Sequence, residues 1–437
     1  MSSLLHNSVR AVVIRGLTFR EWLQSRVTYN PLTPRVYLNP YPKYVELRAK
    51  DPVHWSPLLE SWIVTRYADA DAILRDFKRF SNDPRNHRTS RPPTPIENPG
   101  GFSMLFFDPP DHTRLRSLVS KAFSPVAIAA LAPRIRGIVD ELLDQISDPG
   151  RFDLIDALAY PLPVIVMAEM LGIPAGDRAQ FKSWSDRRAR ILEPTIRPEE
   201  IEDANRATYE LDDYFRTIIA ERRVAPRNDL ISVLLETQDG NEKLTQDEML
   251  VMLRLLLIAG NETTTNLIGN GMLALLRNPD QLQLLRDQPA LMENAVEELL
   301  RFDTPVQLDR RFARVDLEIG GKSIRTGQAI TLVLGAANHD PAVFPEPGRL
   351  DLTRRNASHV SLGRGVHHCL GAPLARLEAR VAFTAVLERF ADLQLMTATP
   401  DFRDNVVLRG LRTLPMAARM NSRSETSAPS VVSTAAC

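Results

Sequence analysis

The interpretation of this chain begins with the segment Ser361-Leu-Gly-Arg-Gly-Val-His-His-Cys-Leu-Gly-Ala-Pro-Leu-Ala-Arg376. Its glycines allow backbone conformations and close approaches that other residues do not allow. A helix is predicted to begin beyond Gly371, because Pro373 suits a first helical turn and apolar residues follow at helical spacing. Cys369 therefore precedes a helix N-terminus, where free N–H groups and the helix dipole favour a thiolate. A thiolate in this position is able to ligate iron.

Cys369 has alternative roles when its segment is considered alone. The usual fate of a lone cysteine is that of a small buried hydrophobic residue. A nucleophilic cysteine needs a paired base, and His367 and His368 are too close in sequence to form such a pair reliably. A zinc site needs further ligands at chelating spacing, and the one other cysteine is Cys437 at the chain end. Iron ligation, a structural thiol and a nucleophile all remain open at this point.

Composition indicates an ordinary globular protein. Of the 437 residues, 44% are hydrophobic and 25% charged, which excludes collagen-like, mucin-like and wholly disordered chains. The 54 basic residues balance the 54 acidic ones, so no global charge points to nucleic acid or an anionic membrane. Two cysteines fit a reducing cytosol. Because no apolar stretch reaches roughly 18 residues and the N-terminus does not resemble a secretory signal, we predict a cytoplasmic protein without a membrane span.

Local patterns predict a mainly α protein with small β-sheets. Apolar residues recur at intervals of three and four through the middle of the chain, as one helix face requires. Helices are predicted over Ala204–Arg223, Thr245–Leu276 and Pro279–Arg301. Short strands are predicted over Trp62–Thr65, Leu317–Ile319, Ala329–Val333 and Val406–Leu408. No repeat or compositional break separates two large domains, and residues 421–437 are predicted to be a disordered tail.

A second segment that carries chemistry is Leu255-Leu-Leu-Ile-Ala-Gly-Asn-Glu-Thr-Thr-Thr265, where a carboxylate and hydroxyls interrupt an apolar helix. A buried polar group without a partner costs on the order of 1–3 kcal/mol, so this cluster needs hydrogen bonds, water or a function. We predict that the Thr263 hydroxyl bonds back to the Ala259 carbonyl, opening the helix beside Gly260 and leaving a groove. The alternative is a helix kink exposed to solvent.

Two charge patterns complete the set. Glu298 and Arg301 face each other at i and i+3 of one helix, which alone indicates a surface ion pair. In Asp108-Pro-Pro-Asp-His-Thr-Arg-Leu-Arg116 the prolines begin a helix that places His112 and Arg116 on one face. Cations placed in this way are able to hold carboxylates, and the alternative is a solvated basic face.

Together these segments resemble the cytochrome P450 superfamily in its soluble bacterial form. Gly363-x-Gly365-x-His367-x-Cys369-x-Gly371 resembles the family's haem-thiolate loop, although Leu362 stands where the family usually has Phe. The resemblance extends from about Tyr41 to Met416. It implies a single P450 domain over residues 1–420 that encloses haem between two helices, in place of the roughly three domains that the length suggests.

The resemblance also assigns residue roles. It implies haem b (iron protoporphyrin IX) as cofactor, Cys369 as the metal ligand, and Gly371 among the cofactor-binding residues. Thr263 would hydrogen-bond to dioxygen and Glu262 would relay protons. The family's structural network under the haem would comprise Glu298, Arg301 and Arg349.

Further roles concern the propionates and the substrate pocket. Contacts to the haem propionates would come from His112, Arg116, Arg311 and His367, and a one-residue shift in alignment would replace Arg311 by Arg310. The pocket would be drawn from the loop 88–107 and from Leu256, Ala259, Val306 and Leu408. Aliphatic residues there suggest an apolar ligand such as a steroid, terpenoid, fatty acid or polyketide.

The implied function is a haem-thiolate monooxygenase that inserts one oxygen atom from O2 into its substrate. Gly269-x-Gly271 lies in a helical stretch and is not a dinucleotide loop, so a ferredoxin or flavodoxin with an NAD(P)H-dependent reductase would supply electrons. Arg114, Arg364 and Arg376 would contribute to its docking face. We expect a monomer that binds no nucleic acid. The alternatives are a peroxide-driven or rearranging enzyme of the same fold, against which the Glu262–Thr263 pair argues, and a non-catalytic haem- or ligand-binding protein.

Overall fold

The computed structural model describes residues 14, 16–89, 97–192, 196–237, 243–355 and 358–421. Helices dominate this part of the chain, as the apolar periodicity predicts. They are α1 (16–25), α2 (Pro34–Tyr37), α3 (Tyr41–Lys50), α4 (Tyr67–Arg75), α5 (Asp111–Ser120), α6 (Pro125–Ala129), α7 (Ala132–Asp144), α8 (Pro161–Met170), α9 (Arg178–Ala189), α10 (Pro198–Val224), α11 (Leu230–Glu236), α12 (Gln246–Arg277), α13 (Pro279–Asp287), α14 (Met292–Phe302), α15 (Leu334–Ala337) and α16 (Ala372–Arg389).

The strands are short and form small sheets. They are β1 (Val53–Ser56), β2 (Ser61–Val64), β3 (Phe80–Ser81), β4 (Phe152–Asp153), β5 (Leu308–Ala313), β6 (Leu317–Ile319), β7 (Lys322–Ile324), β8 (Ala329–Val333), β9 (Phe390–Leu395), β10 (Asp401–Phe402), β11 (Leu411–Thr413) and β12 (Pro415–Met420). The largest sheet has the order β1-β2-β8-β5-β3, with β2 parallel to β8 and Trp62 opposite Ile330. The strand predicted over Val406–Leu408 is wrong, since Leu408 forms only a single bridge, to Val306.

The long helix α12 is the centre of the helical part. Thr245 and Glu248 form a capping box that satisfies N–H groups at its start, because each side chain accepts from the other residue's backbone N–H at 3.2 and 2.8 Å. Its 32 residues extend over roughly 48 Å at 1.5 Å per residue. Most of its residues are buried, and nearly all of the buried apolar side chains belong to the principal core. It packs against α8, α14 and α16, so residues along it reach several parts of the interior.

Glycine lets α12 approach α16 closely. A Cβ on Gly271 would stand 2.6 Å from the Phe383 ring, so a larger residue would push the two helices apart. The helix predicted over Pro279–Arg301 is divided into α13 and α14 at Pro289, which cannot donate a backbone hydrogen bond.

Membrane-span criteria are not met by any single helix in the described ranges. Asp111–Ala129 and Ala132–Asp144 satisfy them only as a pair that bends by 72°.

Candidate active site

The loop around Cys369 is shaped by two glycines in the left-handed region. Gly363 has φ of +68° and Gly365 of +66°, and the turn brings the Cys369 N–H to the Leu362 carbonyl at 2.8 Å. Leu362, which replaces the usual Phe, packs at the edge of the principal core. As predicted, α16 begins directly after Gly371 and contains Pro373 in its first turn. Cys369 therefore stands at the entrance to this helix.

The Cys369 side chain is accessible although the protein surrounds it. The residue is exposed, yet burial among protein atoms raises the pKa of its thiol. The two observations agree if the sulfur faces an internal opening. N–H groups of Gly371 and Ala372, together with Arg116 and Arg376, oppose the rise. The N–H groups at the helix N-terminus therefore favour the thiolate, as expected, but desolvation outweighs them. A bound metal cation would hold the sulfur deprotonated.

Basic side chains gather beside this opening. The His112 and His367 rings lie 4.1 Å apart between centroids. Arg116, one turn after His112, donates to the His368 carbonyl at 2.7 Å. Arg311 on β5 is buried whereas Arg310 is exposed, so Arg311 is the inward-facing member of the pair. The helical face predicted from the sequence thus brings His112 and Arg116 to the cysteine loop.

The electrostatics of this group favour a bound anion. Burial and the charge of Arg116 lower the pKa of His112 to about 4. Burial, with His112, Arg311 and Arg116 nearby, lowers the pKa of His367 to about 3. His112 Nδ1 and His367 Nε2 are buried and have no hydrogen-bond partner in the described structure. Asp309 pairs with Arg311 at 2.8 Å but is partly exposed. Asp108 opposes the lowering at His112, but the causes at His367 are burial and basic neighbours, so negative charge is deficient beside His367.

These features fit haem. Its two propionate carboxylates would supply the missing negative charge beside His112, Arg116, Arg311 and His367. A Cβ built on Gly371 would meet no atom within 4 Å, which leaves room for a flat group beside the cysteine. Within the ranges that the structure describes, no three His, Cys, Asp or Glu side chains are grouped to hold a metal ion. An iron atom would therefore depend on the porphyrin and on Cys369.

Thr263 makes the hydrogen bond that the sequence predicts. Its Oγ1 donates to the Ala259 carbonyl at 2.8 Å. Ala259 is exposed and Gly260 and Thr263 are partly exposed, in a helix that is otherwise mostly buried. The predicted opening of the helix beside Gly260 is wrong, because α12 is continuous here and Gly260 packs close to Met167. The groove is therefore the accessible stretch of α12 at Ala259 and Thr263. The groove lies on α12, which packs against α16, the helix that begins three residues after Cys369.

The partly buried carboxylate of Glu262 is paired with the guanidinium of Arg403. Arg403 Nη1 donates to its carboxylate at 3.2 Å. Burial raises the pKa of Glu262, Arg403 opposes the rise, and Asp186 adds to it. A buried carboxyl of this kind binds a proton more readily than one in water. Glu262 and Thr263 are neighbours in sequence, but their side chains have different partners.

Glu298 and Arg301 form a buried network, which excludes the simple surface pair. Both side chains are fully buried and are joined by two hydrogen bonds of 2.7 Å. Arg301 also donates to the carbonyls of Asn338 and Pro347. These contacts tie α14 to the chain that precedes the cysteine loop.

The third side chain of this network is that of Arg354. Its Nε donates to both Glu298 oxygens at 3.2 and 3.1 Å. The assignment of Arg349 is wrong for the side chain, which is largely exposed and faces Glu346 at 3.4 Å. Arg349 takes part through its carbonyl, which accepts from Arg301 at 3.3 Å. The chain turns back between these two arginines, and this turn brings Arg354 to Glu298.

The expected pocket residues come from two places. Leu256 and Ala259 lie on α12, and Val306 and Leu408 pair in an isolated bridge. Leu256 and Leu408 are buried, whereas Val306 is partly exposed and Ala259 is exposed. Residues 90–96 of the expected loop 88–107, and residues 422–437 of the expected tail with Cys437, lie outside the described residues.

Sequence reasoning missed Glu378 on α16. It is 2% exposed, and its Oε2 has no partner among the described residues. Burial raises the pKa of this carboxyl to about 8. Its position directly after Leu377 in an apolar stretch of helix is a weak signal of burial.

The three arginines expected at a docking face already have partners. Arg114 pairs with Glu248, Arg364 lies 3.5 Å from Asp71, and Arg376 binds Glu297 at 2.5 and 2.8 Å. Their charges are therefore partly neutralised within the chain.

Comparison with known proteins gives consistent matches. The family model for cytochrome P450 matches residues 55–409. Cytochrome P450 monooxygenase PikC of Streptomyces venezuelae is 42% identical over 387 residues, which cover 86% of this chain and 91% of that protein. Vitamin D(3) 25-hydroxylase of Pseudonocardia autotrophica is 41% identical, and the match covers 86% of this chain and 93% of that protein. The structure of the bacillaene polyketide synthase cytochrome P450 PksS of Bacillus subtilis matches with a TM-score of 0.84 at 39% identity. The match covers 89% of this chain and 99% of that chain.

Proposed function

Since the chain belongs to the cytochrome P450 family and is a haem-thiolate monooxygenase, we propose that it oxygenates a large apolar molecule of polyketide or secosteroid type. The observation that carries the substrate class is the aliphatic character of the accessible groove at Ala259 and of the paired Val306 and Leu408. Relatives named for a polyketide synthase and for vitamin D(3) support the same size and polarity.

Haem b, when bound, supplies the activation of dioxygen. Cys369 would provide the thiolate ligand, and the N–H groups of Gly371 and Ala372 would stabilise its negative charge. His112, Arg116, Arg311 and His367 bind the propionates. Glu298, Arg301 and Arg354 fix the chain before the cysteine loop, so that the sulfur keeps its position.

Two neighbouring residues of α12 hold and move protons. The Thr263 hydroxyl donates to the Ala259 carbonyl and keeps its oxygen free to accept from a proton donor in the groove. Glu262 holds a proton more readily than an exposed carboxyl because it is buried. Glu262 and Thr263 would thereby provide a proton donor and a hydroxyl acceptor next to each other on α12.

Substrate class is tested by the spin-state change of the ferric holoprotein. A macrolactone polyketide and vitamin D3 are expected to shift the Soret band toward the high-spin form, because a fitted apolar ligand displaces water from the pocket. A long-chain fatty acid is expected to give a smaller shift at the same concentration. A full shift with the fatty acid and none with the other two would reverse the assignment.

Loss of the Thr263 hydroxyl is expected to uncouple the reaction. In Thr263→Ala the product formed per NAD(P)H should fall at least about tenfold, with hydrogen peroxide replacing it, because positioned proton transfer contributes about 10²–10⁴-fold. Product, peroxide and NAD(P)H consumption are measured together. The matched control is Thr264→Ala, whose side chain is buried one residue along. Unchanged coupling in Thr263→Ala would reject the proton-delivery role.

Electrons are proposed to come from a ferredoxin or flavodoxin and its NAD(P)H-dependent reductase, which dock near Arg376. Reduction by an acidic ferredoxin should slow as salt rises. At low salt Arg376→Gln should weaken docking about threefold or more. Arg380→Gln is a matched control, since both arginines lie on α16 and each pairs with a glutamate of α14. Equal effects of the two substitutions, or no effect of salt, would contradict this docking site.

A further inference from the structure

The two short segments that carry Val306 and Leu408 are joined as a small ladder. The Gln307 N–H donates to the Val407 carbonyl and the Arg409 N–H to the Pro305 carbonyl, both at 2.8 Å. Val306 and Leu408 form the bridge between these two bonds. Val306 lies two residues before β5 and Leu408 three residues before β11, so the ladder continues from two sheets without being part of either.

The ladder lies against the same face of α12 that carries Thr263. Thr263, Asn266 and Asn270 share one helix face, being separated by three and then four residues. The Asn270 amide donates to the carbonyls of Arg409 at 3.0 Å and Asp303 at 3.4 Å. Gly410 is so close to Asn266 that a Cβ would overlap the Asn266 amide. Movement of the ladder would therefore move Val306 and Leu408 relative to Thr263.

Tyr41, Asp303 and Arg409 form a hydrogen-bonded group, here called the brace, that supports the ladder on its other side. The Asp303 carboxylate accepts from the Tyr41 hydroxyl at 2.6 Å and from Arg409 Nε at 2.8 Å. Arg409 Nη1 also donates to the carbonyls of Tyr37 and Leu38 at 2.9 and 3.1 Å. Asp303 lies two residues before Pro305 in one segment of the ladder, and Arg409 is the last ladder residue of the other. The brace thus fastens both of its segments to the chain around α3.

Charge and burial strengthen the hydrogen bonds of this brace. Burial alone would lower the pKa of Arg409, but the charge of Asp303 raises it overall. Burial and the charge of Asp303 raise the pKa of Tyr41 well above its ordinary value, so its hydroxyl remains a donor. Charged hydrogen bonds away from water are stronger than neutral ones, and removing one partner leaves the other unsatisfied. The hydroxyl, the carboxylate and the guanidinium all have protein partners.

We propose that Tyr41, Asp303 and Arg409 are positioning residues that set the place of Val306 and Leu408 and thereby the shape of the substrate pocket. The inference rests on the proposed function, from which it takes the pocket role of those two residues. The three residues do not touch the substrate. They act through the backbone of the ladder, so their substitution alters which ligands fit and in which orientation.

The test compares two iron ligands in the ferric holoprotein. Imidazole reports the iron and its immediate surroundings, whereas 4-phenylimidazole adds a ring that extends into the pocket. In Tyr41→Phe and in Asp303→Asn the Kd of 4-phenylimidazole should change at least about threefold, part of the effect of one charged hydrogen bond. The Kd of imidazole should stay the same. Tyr41→Phe removes a single oxygen and is the milder substitution.

The matched control is Tyr214→Phe, which removes another tyrosine–aspartate hydrogen bond, to Asp177 at 2.8 Å. It should change neither Kd. A constant ratio of the two Kd values in both brace variants overturns the inference, even if their thermal stability falls. Equal changes in both Kd values overturn it too, because they indicate general damage at the iron. The proposed function is judged separately, by the carbonyl spectrum of the unmodified protein.

Discussion

The Cys369→Ser variant is expected to lose oxygenation and the thiolate spectrum together. A hydroxyl in place of the sulfur cannot donate the electron density that favours O–O cleavage. The loss of turnover should exceed the roughly 10–100-fold typical of substitutions beside a metal ligand, because the ligand itself is removed. Gly371 leaves the cofactor space unchanged, so some haem is still expected to bind.

The measurement is the absorption spectrum of the dithionite-reduced protein with carbon monoxide. The unmodified protein should give a strongly red-shifted Soret band, which Cys369→Ser should lack. The chain supplies its own control, because Cys437 is its one other cysteine and Cys437→Ser should keep the band. A red-shifted band that survives in Cys369→Ser would remove Cys369 from the iron, and its loss in Cys437→Ser would do the same.

The second large effect is expected from Arg301→Ala. Glu298 would then be a fully buried carboxylate without its main partner. Breaking a buried ion pair on one side costs about 3–5 kcal/mol, a large part of the stability of a typical domain. We expect little folded holoprotein, and a lower free energy of unfolding in urea for whatever is recovered.

Two neighbouring arginines make this prediction specific. Arg354→Ala should cost about 1–3 kcal/mol, since it removes the Nε–H that reaches both Glu298 oxygens. Arg349→Ala should change the unfolding free energy by no more than about 0.5 kcal/mol, because its side chain is exposed and its carbonyl remains. If Arg349→Ala destabilises the protein as much as Arg354→Ala does, the arrangement of this network is wrong.

These two arginines also show where sequence reasoning ends. Spacing along a helix predicts that Glu298 faces Arg301, because helix geometry is regular. The loop from Pro345 to Arg354 has no such regularity, so the sequence does not reveal which arginine reaches back to Glu298. The same limit explains the strand predicted over Val406–Leu408, whose alternating apolar residues make one bridge. In contrast, the predicted bounds of β6 and β8 agree with the structure.

The active site was predictable where chemistry is local. The hydrogen bond from Thr263 to Ala259 follows from side-chain reach within one helical turn, and the structure contains it. The state of Cys369 is less local. Its place before α16 suggests a thiolate, but the balance with desolvation depends on atoms brought from other parts of the chain. The approach of His367 to His112 likewise depends on tertiary packing.

Glu378 links the integrity of the fold to the pH of the solution. Its folded-state pKa of about 8 lies above the ordinary value of 4.5, so at neutral pH the native protein holds a proton that the unfolded chain gives up. Unfolding near pH 7 should therefore release about one proton from this site, and its contribution to stability falls as pH rises from about 4.5 to 8. In calorimetry, the apparent unfolding enthalpy should depend on the ionisation heat of the buffer, and Glu378→Gln should reduce that dependence by about one proton.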